Sequence, residues 1–260
     1  MKTLVLIPTY NEKDNIPIMV TELMAIPGVS VMVLDDQSPD GTGKVADELG
    51  VKYPGRVFAL HRTGQRGLGV SYLEGFHRAI ESDYDFVGQM DADLSHDPKY
   101  LPAMIEAAEQ GADLVIGSRY LNGISVVNWP LRRIILSQFA NFYIRTVTGL
   151  HLRDITTGYR CWRRESLARL PLDRIVSDGY AFLLDVTFMA ADAGLSIVES
   201  PIIFIERRIG ASKLSSDVLL ESLLTPWKLI MRHGRFKSRC CPGSACSSRR
   251  TTTAAPLPAS

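Results

Sequence analysis

Short runs rich in β-branched residues alternate with segments of helical periodicity up to Gly117, and this alternation constrains the fold more than any other feature. The run Leu4–Pro8 precedes Asn15–Ile26, whose apolar residues recur at helical spacing, and Val29–Leu34 follows. The same pattern predicts helices at Lys44–Val51, Leu68–Ser82 and Pro98–Gln110, and strands at Arg56–Leu60, Asp85–Met90 and Asp113–Gly117. Strands that alternate with helices predict an α/β fold with a mostly parallel central sheet and helices on both faces.

Clusters of polar residues follow three of the predicted strands. They are Pro8–Glu12, Asp35–Thr42 and Asp91–Asp93. Because ligands of such sheets bind beyond the carboxyl ends of the strands, we expect the three clusters to share one rim of the sheet. Within the second cluster, Pro39-Asp40-Gly41 is also typical turn sequence, so a structural role explains it as well as a functional one.

Asp91 and Asp93 stand one residue apart at the end of a predicted strand. Side chains at i and i+2 of that segment meet on one ligand only if the chain turns there. Mg²⁺ and Mn²⁺ prefer hard oxygen ligands and often take one or two carboxylates together with substrate phosphates. The pair is therefore a candidate metal and diphosphate site, although taken alone it fits a solvated acidic turn more readily.

Composition limits the class of protein. The 260 residues are 46% hydrophobic and 22% charged, enough to bury the core of one domain. Residues 1–231 hold 23 basic and 28 acidic side chains, a formal charge of −5, whereas 232–260 hold six basic residues and no acidic one. This acidic body argues against nucleic acid as a partner. We expect a catalytic domain over 1–231 and a basic, disordered tail over 232–260.

Neither a targeting segment nor a cysteine framework is evident. The apolar run Leu4–Ile7 is too short for a signal peptide, so we expect a cytoplasmic protein. The uncharged stretch Ile134–Ile144 has eleven residues, fewer than the roughly 20 that span a bilayer. Cys161 stands alone, and the other three cysteines, Cys240, Cys241 and Cys246, lack the spacing of a disulfide framework or a zinc site.

Two predicted helices in the second half carry wide apolar faces with basic residues at their ends. Ile134–Leu150 is flanked by arginines, and Val218–Met231 contains Trp227 and leads into a basic run. Such helices lie in a membrane interface, pack into a core or form an oligomer contact. The pattern alone leaves these alternatives open.

The three polar clusters, in their order along the chain, resemble those of the family 2 glycosyltransferases of the GT-A fold. Four further motifs add to the resemblance, namely Gly117-Ser118-Arg119-Tyr120, Arg132-Arg133 ahead of Ala140-Asn141, Asp154-Ile155-Thr156-Thr157-Gly158-Tyr159-Arg160 and Phe204–Leu214. With these motifs the chain resembles the dolichol-phosphate or polyprenol-phosphate mannosyltransferases from about Leu4 to about Lys228.

This resemblance implies transfer of mannose from GDP-mannose to a dolichyl or other polyprenyl phosphate, with inversion and with Mg²⁺ or Mn²⁺. Carried over by position, the nucleotide-sugar site comprises Pro8, Tyr10, Glu12, Leu34, Asp36, Asp91, Ala92 and Asp93. The implied metal ligands are Asp91, Asp93 and Ser95. Some relatives carry Gln at the last position, and because a serine hydroxyl is a shorter and weaker ligand, water would fill the gap here.

The basic residues of the motifs fit the same chemistry. A phosphate nucleophile is ionised at neutral pH and needs no strong general base, so the site must mainly supply positive charge. Guanidinium groups bind phosphate bidentately and lysine offers a compact charge. The resemblance implies a catalytic set of Asp93, Arg119, Arg133, Arg207 and Lys213, of which Arg119, Arg207 and Lys213 also contact the nucleotide sugar.

The acceptor that the resemblance implies also suggests where the protein works. A polyprenyl tail stays in the bilayer, so we expect peripheral binding to the cytoplasmic face of the membrane, directly or through a separate membrane-anchoring protein. Two alternatives stay open, namely a UDP-glucose-dependent transferase and a non-catalytic nucleotide-sugar-binding subunit. A Rossmann dehydrogenase is disfavoured, because Gly64–Gly69 has neither the spacing nor the position of a G-x-G-x-x-G motif.

Overall fold

The computed structural model describes residues 1–175, 177, 179–206 and 224–231, with only the backbone of Tyr180. The strands are β1 (Thr3–Thr9), β2 (Val29–Asp35), β3 (Val57–His61), β4 (Phe86–Gln89), β5 (Leu114–Ser118), β6 (Val126–Val127), β7 (Arg160–Arg163), β8 (Ile197–Pro201) and β9 (Phe204–Ile205). The helices are α1 (Ile16–Met24), α2 (Thr42–Lys52), α3 (Leu68–Ile80), α4 (Leu101–Glu109), α5 (Leu131–Thr148), α6 (Arg164–Leu167) and α7 (Gly179–Asp192). Pro98–Tyr100 and Leu172–Arg174 form single 3₁₀ turns, and residues 224–231 are helical.

The central sheet has seven strands in the order β3-β2-β1-β4-β7-β5-β8. β1 pairs in parallel with β2 and β4, β2 pairs in parallel with β3, and β5 pairs in parallel with β8. β7 runs antiparallel between β4 and β5. The predicted α/β fold with a mostly parallel sheet is confirmed, and β6 and β9 form a separate two-stranded parallel sheet.

Side chains alternate across the sheet because successive residues of a strand point to opposite faces. In β1, Leu4 and Leu6 join a buried cluster with residues of α3 and α7, whereas Val5 and Ile7 join a cluster with residues of α1 and α4. Helices therefore cover both faces, as the sequence predicts. Gly75 of α3 lets that helix approach closely, since a Cβ there would lie 2.9 Å from Leu34 Cδ1.

The antiparallel strand β7 is unusual because it places an arginine inside the sheet. Arg160 is fully buried, and its guanidinium donates to the carbonyl oxygens of Ile155, Thr157 and Leu183 at 2.9 to 3.1 Å. Burial lowers the pKa of Arg160 to about 10, so it stays charged at neutral pH. These three bonds fasten the segment before β7, which borders the site described below, to α7.

Helix α5 begins three residues earlier and ends two residues earlier than the predicted Ile134–Leu150. Gly149 ends it in the left-handed conformation, with φ of 82°, and its N–H donates to the Arg145 carbonyl.

Of the second predicted interfacial helix, Val218–Met231, only residues 224–231 belong to the described part of the chain, and they are helical. No helix in the described ranges has both the length and the apolar character to cross a membrane. The predicted tail, 232–260, lies outside those ranges.

Candidate active site

The polar clusters meet at one edge of the sheet. β1, β2 and β4 are parallel neighbours, so Thr9, Asp35 and Gln89 end at the same edge, where the predicted clusters begin. β5 runs in the same direction, because β7 is antiparallel to both β4 and β5, and Arg119 directly follows β5 at this edge. The expected common rim is therefore confirmed.

The loops after β1 and β2 are hydrogen-bonded to each other. The backbone N–H of Asn11 donates to Ser38 Oγ at 3.0 Å, and that of Glu12 donates to Thr42 Oγ1 at 3.0 Å. Asn11 has a φ of 60°, a conformation that asparagine tolerates better than most residues. Asp40 accepts from the Thr42 hydroxyl at 2.6 Å, so the turn residues of this cluster have a structural role.

Asp36 is buried, and its carboxylate organises the segment before α3. Arg62 donates to Asp36 Oδ1 at 2.5 Å and to Glu74 at 3.0 Å, and the N–H of Gly67 donates to Asp36 Oδ2 at 2.9 Å. Arg66 lies over the ring of Tyr10 at 4.9 Å and donates to its hydroxyl at 3.2 Å. This arrangement brings two of the predicted nucleotide-contacting residues, Tyr10 and Asp36, together with an arginine that the sequence analysis did not select.

The acidic pair follows β4 in a tight loop. Asp91 has a side chain 38% exposed, whereas Asp93 is buried, and both line the same cavity. Ser95 is buried behind Asp93 and donates from its hydroxyl to Asp93 Oδ1 at 2.6 Å. The chain thus turns enough for both carboxylates to face one ligand.

His96 and residues before β7 form the wall beside Asp91. His96 is buried, and its Nδ1 accepts a hydrogen bond from the backbone N–H of Asp91 at 3.1 Å. The ring stacks on Tyr159 with a centroid distance of 5.0 Å, and burial raises the pKa of that tyrosine well above its usual value. Gly158 leaves room for the acid, since a Cβ there would lie 3.2 Å from Asp91 Oδ1.

A cavity of about 440 Å³ joins this acidic loop to α5 and α7. Its polar lining residues include Asp91, Asp93, Arg119, Arg133 and Thr156. Its apolar lining residues include members of α3, α5 and α7, namely Leu68, Leu136, Phe139, Ala140, Tyr143, Ile144, Leu183 and Leu184. A single cavity therefore combines charged groups with a largely hydrocarbon lining.

Arg119 is buried in a network of charged and aromatic groups. Its Nε and Nη2 donate to the two oxygens of Asp154 at 2.6 and 2.7 Å, and its Nη2 also donates to Thr156 Oγ1 at 2.8 Å. The guanidinium carbon lies 5.4 Å from the ring of Trp129 and 5.6 Å from that of Phe204. Such a bidentate pair fixes the plane of the guanidinium.

Arg133 contacts the ring of Trp129 and the carboxylate of Glu206. Its guanidinium carbon is 4.1 Å from the Trp129 ring, and its Nη1 donates to the carboxylate of Glu206. The Phe204 ring contacts both Trp129, at 5.3 Å, and His96, at 5.6 Å. A series of edge-to-face ring contacts therefore connects the acidic loop to Arg133.

The donor set suits a divalent metal ion held jointly with a ligand. Asp91 and Asp93 supply carboxylate oxygens to one cavity, as hard cations require. Across the described ranges, no cluster of three or more His, Cys, Asp or Glu side chains is placed to hold a metal by itself. Two carboxylates leave coordination positions for the oxygens of a diphosphate, so the residues present fit Mg²⁺ or Mn²⁺ bound together with a nucleotide.

The structure divides the residues selected from the sequence into three groups. Asp91, Asp93, Arg119 and Arg133 line the cavity. The second group lies at or near the same sheet edge but does not line the cavity. It comprises Pro8, Tyr10, Glu12, Leu34, Asp36, Ala92 and Ser95. Arg207 and Lys213 lie outside the described residues.

Among the cavity-lining residues that the sequence analysis did not select as site residues are His96 and Trp129. His96 stands in the same polar stretch as the acidic pair, three residues after Asp93, and that position was the available signal. Trp129 precedes Arg132-Arg133 by three residues, but nothing in its local pattern reveals that two arginines flank its ring.

The comparisons with known proteins agree with this geometry. The sequence model of the family "Glycosyl transferase family 2" matches residues 4–170. A polyprenol monophosphomannose synthase of Mycolicibacterium smegmatis is 48% identical over 223 residues, covering 85% of this chain and 84% of the relative. An undecaprenyl-phosphate mannosyltransferase of Micrococcus luteus is 45% identical over 242 residues, covering 92% and 99%.

Among solved structures, glucosyl-3-phosphoglycerate synthase from Mycobacterium tuberculosis, in complex with Mn²⁺, UDP and glucosyl-3-phosphoglycerate, has a TM-score of 0.65. The two proteins are 19% identical, and the match covers 91% of this chain and 81% of that one. The fold and the site together define a glycosyltransferase of the GT-A fold. Within that class, the chain belongs to glycosyltransferase family 2.

Proposed function

We propose that the protein transfers mannose from GDP-mannose to a polyprenyl phosphate and releases GDP. The observation that carries the proposal is the mixed lining of the cavity, in which Asp91 and Arg119 are charged and Phe139 and Leu183 are apolar. A lipid phosphate has this same division between an anionic head and an apolar tail. The names of the two curated relatives support mannose as the sugar and a polyprenyl phosphate as the acceptor. The choice of GDP rests on the sequence resemblance.

The reaction needs one displacement at the anomeric carbon. An acceptor phosphate oxygen forms the new bond to C1 of mannose, and the bond from C1 to the diphosphate oxygen breaks, with its electron pair leaving on GDP. Attack opposite the leaving group inverts the configuration. Because the phosphate oxygen carries no proton at neutral pH, no side chain has to act as a strong general base.

Positive charge is what the protein contributes to this step. Arg119 and Arg133 both line the cavity and would hold the two phosphate groups close together against their mutual repulsion. Asp91 and Asp93 would hold Mg²⁺ or Mn²⁺, which when bound supplies positive charge beside the leaving diphosphate. The Ser95 hydroxyl orients Asp93 by donating a hydrogen bond to its carboxylate. We keep Arg207 and Lys213 in the proposed catalytic set on the resemblance alone.

We further propose that the protein binds peripherally to the cytoplasmic face of the membrane through α5. Leu131, Ile135 and Phe142 of this helix are 71%, 58% and 57% exposed, on the element that also lines the cavity. Trp227 is 52% exposed and donates from its indole to the Tyr143 hydroxyl at 2.8 Å, so residues 224–231 extend this surface. An apolar face with basic neighbours suits the headgroup region, where a polyprenyl tail would leave the cavity.

The decisive experiment is transfer of radiolabelled mannose from GDP-mannose into organic-extractable lipid, with purified protein, undecaprenyl phosphate and Mg²⁺. We expect label in the lipid phase that disappears with EDTA and in Asp93→Ala. UDP-glucose serves as the parallel donor, and labelling from it alone would replace the proposed donor. No transfer from either donor, with and without added membranes, would contradict an enzymatic role for the isolated chain.

A further inference from the structure

His96 is buried at the candidate site, and neither the sequence motifs nor the proposed chemistry assigns it a role. It is 2% exposed, lines the cavity and lies in the loop of the acidic pair. Its Nδ1 accepts a hydrogen bond from the backbone N–H of Asp91 at 3.1 Å. The side chain therefore bonds back to the main chain of a proposed metal ligand five residues earlier.

This hydrogen bond fixes the tautomer of the ring. A backbone N–H only donates, so Nδ1 must carry a lone pair and the proton of the neutral imidazole sits on Nε2. Nε2 lies 3.8 Å from Asp91 Oδ2, beyond hydrogen-bond distance. His96 therefore does not offer a free lone pair to a metal ion, and acts on Asp91 instead.

The ring has little freedom to turn away. It stacks on Tyr159 at 5.0 Å with an interplanar angle of 27°, and Phe204 meets it edge-on at 5.6 Å. Tyr159 is itself held, because its hydroxyl donates to the carbonyl of Asp97 at 3.2 Å. Aromatic contacts from β9 and from the segment before β7 thus set the orientation of a ring that the acidic loop carries.

We propose that His96 is a positioning residue that holds Asp91 in the orientation needed to bind a metal–nucleotide diphosphate. Its Nδ1 anchors the main chain of Asp91, and Nε2 lies 3.8 Å from the carboxylate of the same residue. The inference rests on the proposed function, because it assigns to Asp91 a metal-bound diphosphate. It assigns to the cavity-lining His96 a role that acts through Asp91 rather than through direct coordination of the metal.

Three substitutions separate the possible contributions of the ring. His96→Asn places an amide oxygen where Nδ1 stands, so it keeps the acceptor for the Asp91 N–H. His96→Gln places its amide near Nε2 and loses that acceptor, and His96→Phe keeps the ring stacking but removes both nitrogens. Binding of Mn²⁺ in the presence of GDP is followed by electron paramagnetic resonance of the free ion, and thermal midpoints are measured without metal.

We expect His96→Phe and His96→Gln to weaken Mn²⁺ binding by about 10- to 100-fold, as loss of outer-shell partners does, and His96→Asn to restore most of it. The Phe variant should bind Mn²⁺ more weakly than the Asn variant although its thermal midpoint is no lower than that of the Asn variant. Equal Mn²⁺ affinity in all four proteins, or equal loss in all three variants alongside equal destabilisation, would overturn the proposal. Failure of the wild-type protein to bind Mn²⁺ with GDP would instead remove the proposed function beneath it.

A second measurement tests the geometry without nucleotide or metal. Long-range ¹H–¹⁵N spectra of the protein report which nitrogen of each histidine carries a proton, and the resonance lost in His96→Asn identifies the ring. We expect the neutral form protonated at Nε2. A ring protonated at Nδ1 at neutral pH could not accept from Asp91 and would overturn the proposal whatever the metal binding shows.

Discussion

Arg119 and Asp154 form a buried bidentate ion pair, with Arg119 7% exposed and Asp154 fully buried. The Asp154 carboxylate also accepts the backbone N–H of Arg119 at 3.0 Å, so three donors from one residue meet one acid. The backbone N–H of Asp154 donates to the Glu199 carboxylate at 2.9 Å, which fastens the loop that contains Asp154 to β8. Arg119 therefore reaches the cavity with an orientation fixed before any ligand arrives.

Replacing Asp154 with Asn should destabilise the protein strongly. The variant keeps the shape of the side chain but leaves Arg119 buried without a counter-charge, which costs about 3–5 kcal/mol. Asp173→Asn is the matched control, since that side chain is 92% exposed and its loss should change the free energy of unfolding by no more than about 0.5 kcal/mol. Urea unfolding measures both, and equal stability of the two variants would contradict a fixed ion pair.

Arg133 offers a sharper test, because the chain provides its own control. Arg133 lines the cavity over Trp129, whereas the adjacent Arg132 is exposed and does not line it. Loss of a charge-assisted hydrogen bond to phosphate costs about 1.5–3 kcal/mol, or roughly 10- to 100-fold in binding. We expect Arg133→Ala to raise KM for a short-chain polyprenyl phosphate by that factor and Arg132→Ala to leave it nearly unchanged. Equal effects of the two would mean that general surface charge attracts the acceptor.

Ser95 tests how the acidic loop supports its metal. Its hydroxyl donates to Asp93 Oδ1 at 2.6 Å, and its backbone N–H donates to the same oxygen at 3.1 Å. Ser95→Ala removes only the first bond, so we expect about a tenfold loss of Mn²⁺ affinity with GDP, the low end for outer-shell partners. Ser82→Ala removes a hydroxyl bound to the Ala79 carbonyl at the end of α3 and should leave the affinity unchanged. A loss far beyond tenfold in Ser95→Ala would favour the direct metal ligand implied by the sequence.

The regular half of the fold was predictable from sequence because its signals are local. Leu4–Pro8 and Val29–Leu34 are continuous β-branched runs, and their position next to helical patterns predicts parallel strands whose ends meet. β7 lacked such a signal. Its four residues include two arginines, and Arg160 is acceptable in the sheet only because three carbonyls, one of them on α7, accept hydrogen bonds from its guanidinium.

The candidate site was predictable only in part for the same physical reason. The acidic pair and the family resemblance selected Asp91, Asp93, Arg119 and Arg133, which the fold brings to one cavity. The contact of His96 with Tyr159 joins residues 63 positions apart, and no local periodicity encodes it. Pairing partners such as Glu206 for Arg133 likewise depend on how β9 is placed beside α5.

Arg66 provides a test of the nucleotide end of the site. It lies over the Tyr10 ring at 4.9 Å, and the loop that holds it is fixed by Asp36. An exposed cation–π contact contributes about 0.5–1 kcal/mol, so Arg66→Ala should weaken GDP binding by up to about fivefold if Tyr10 borders the base. Lys52→Ala removes a similar contact with Tyr53, at 5.0 Å, at the end of α2, and should have no effect on GDP binding. Titration calorimetry with GDP and UDP measures both variants, and an unchanged GDP affinity in Arg66→Ala would place the base elsewhere.

The exposed apolar face of α5 should determine membrane binding. Ile135 and Phe142 are 58% and 57% exposed, and burying such a side chain contributes about 1.5–3 kcal/mol at most. The double substitution Ile135→Ser and Phe142→Ser should therefore lower partitioning onto vesicles containing anionic lipid by at least about tenfold. Val51→Ser is the control, because Val51 is 84% exposed but lies in α2, away from this face.

Flotation measures the bound fraction, and circular dichroism checks that both variants fold. Equal flotation of the double variant and wild type would refute α5 as the contact surface. If wild type bound native membranes but not lipid vesicles, a separate anchoring protein would replace direct lipid contact.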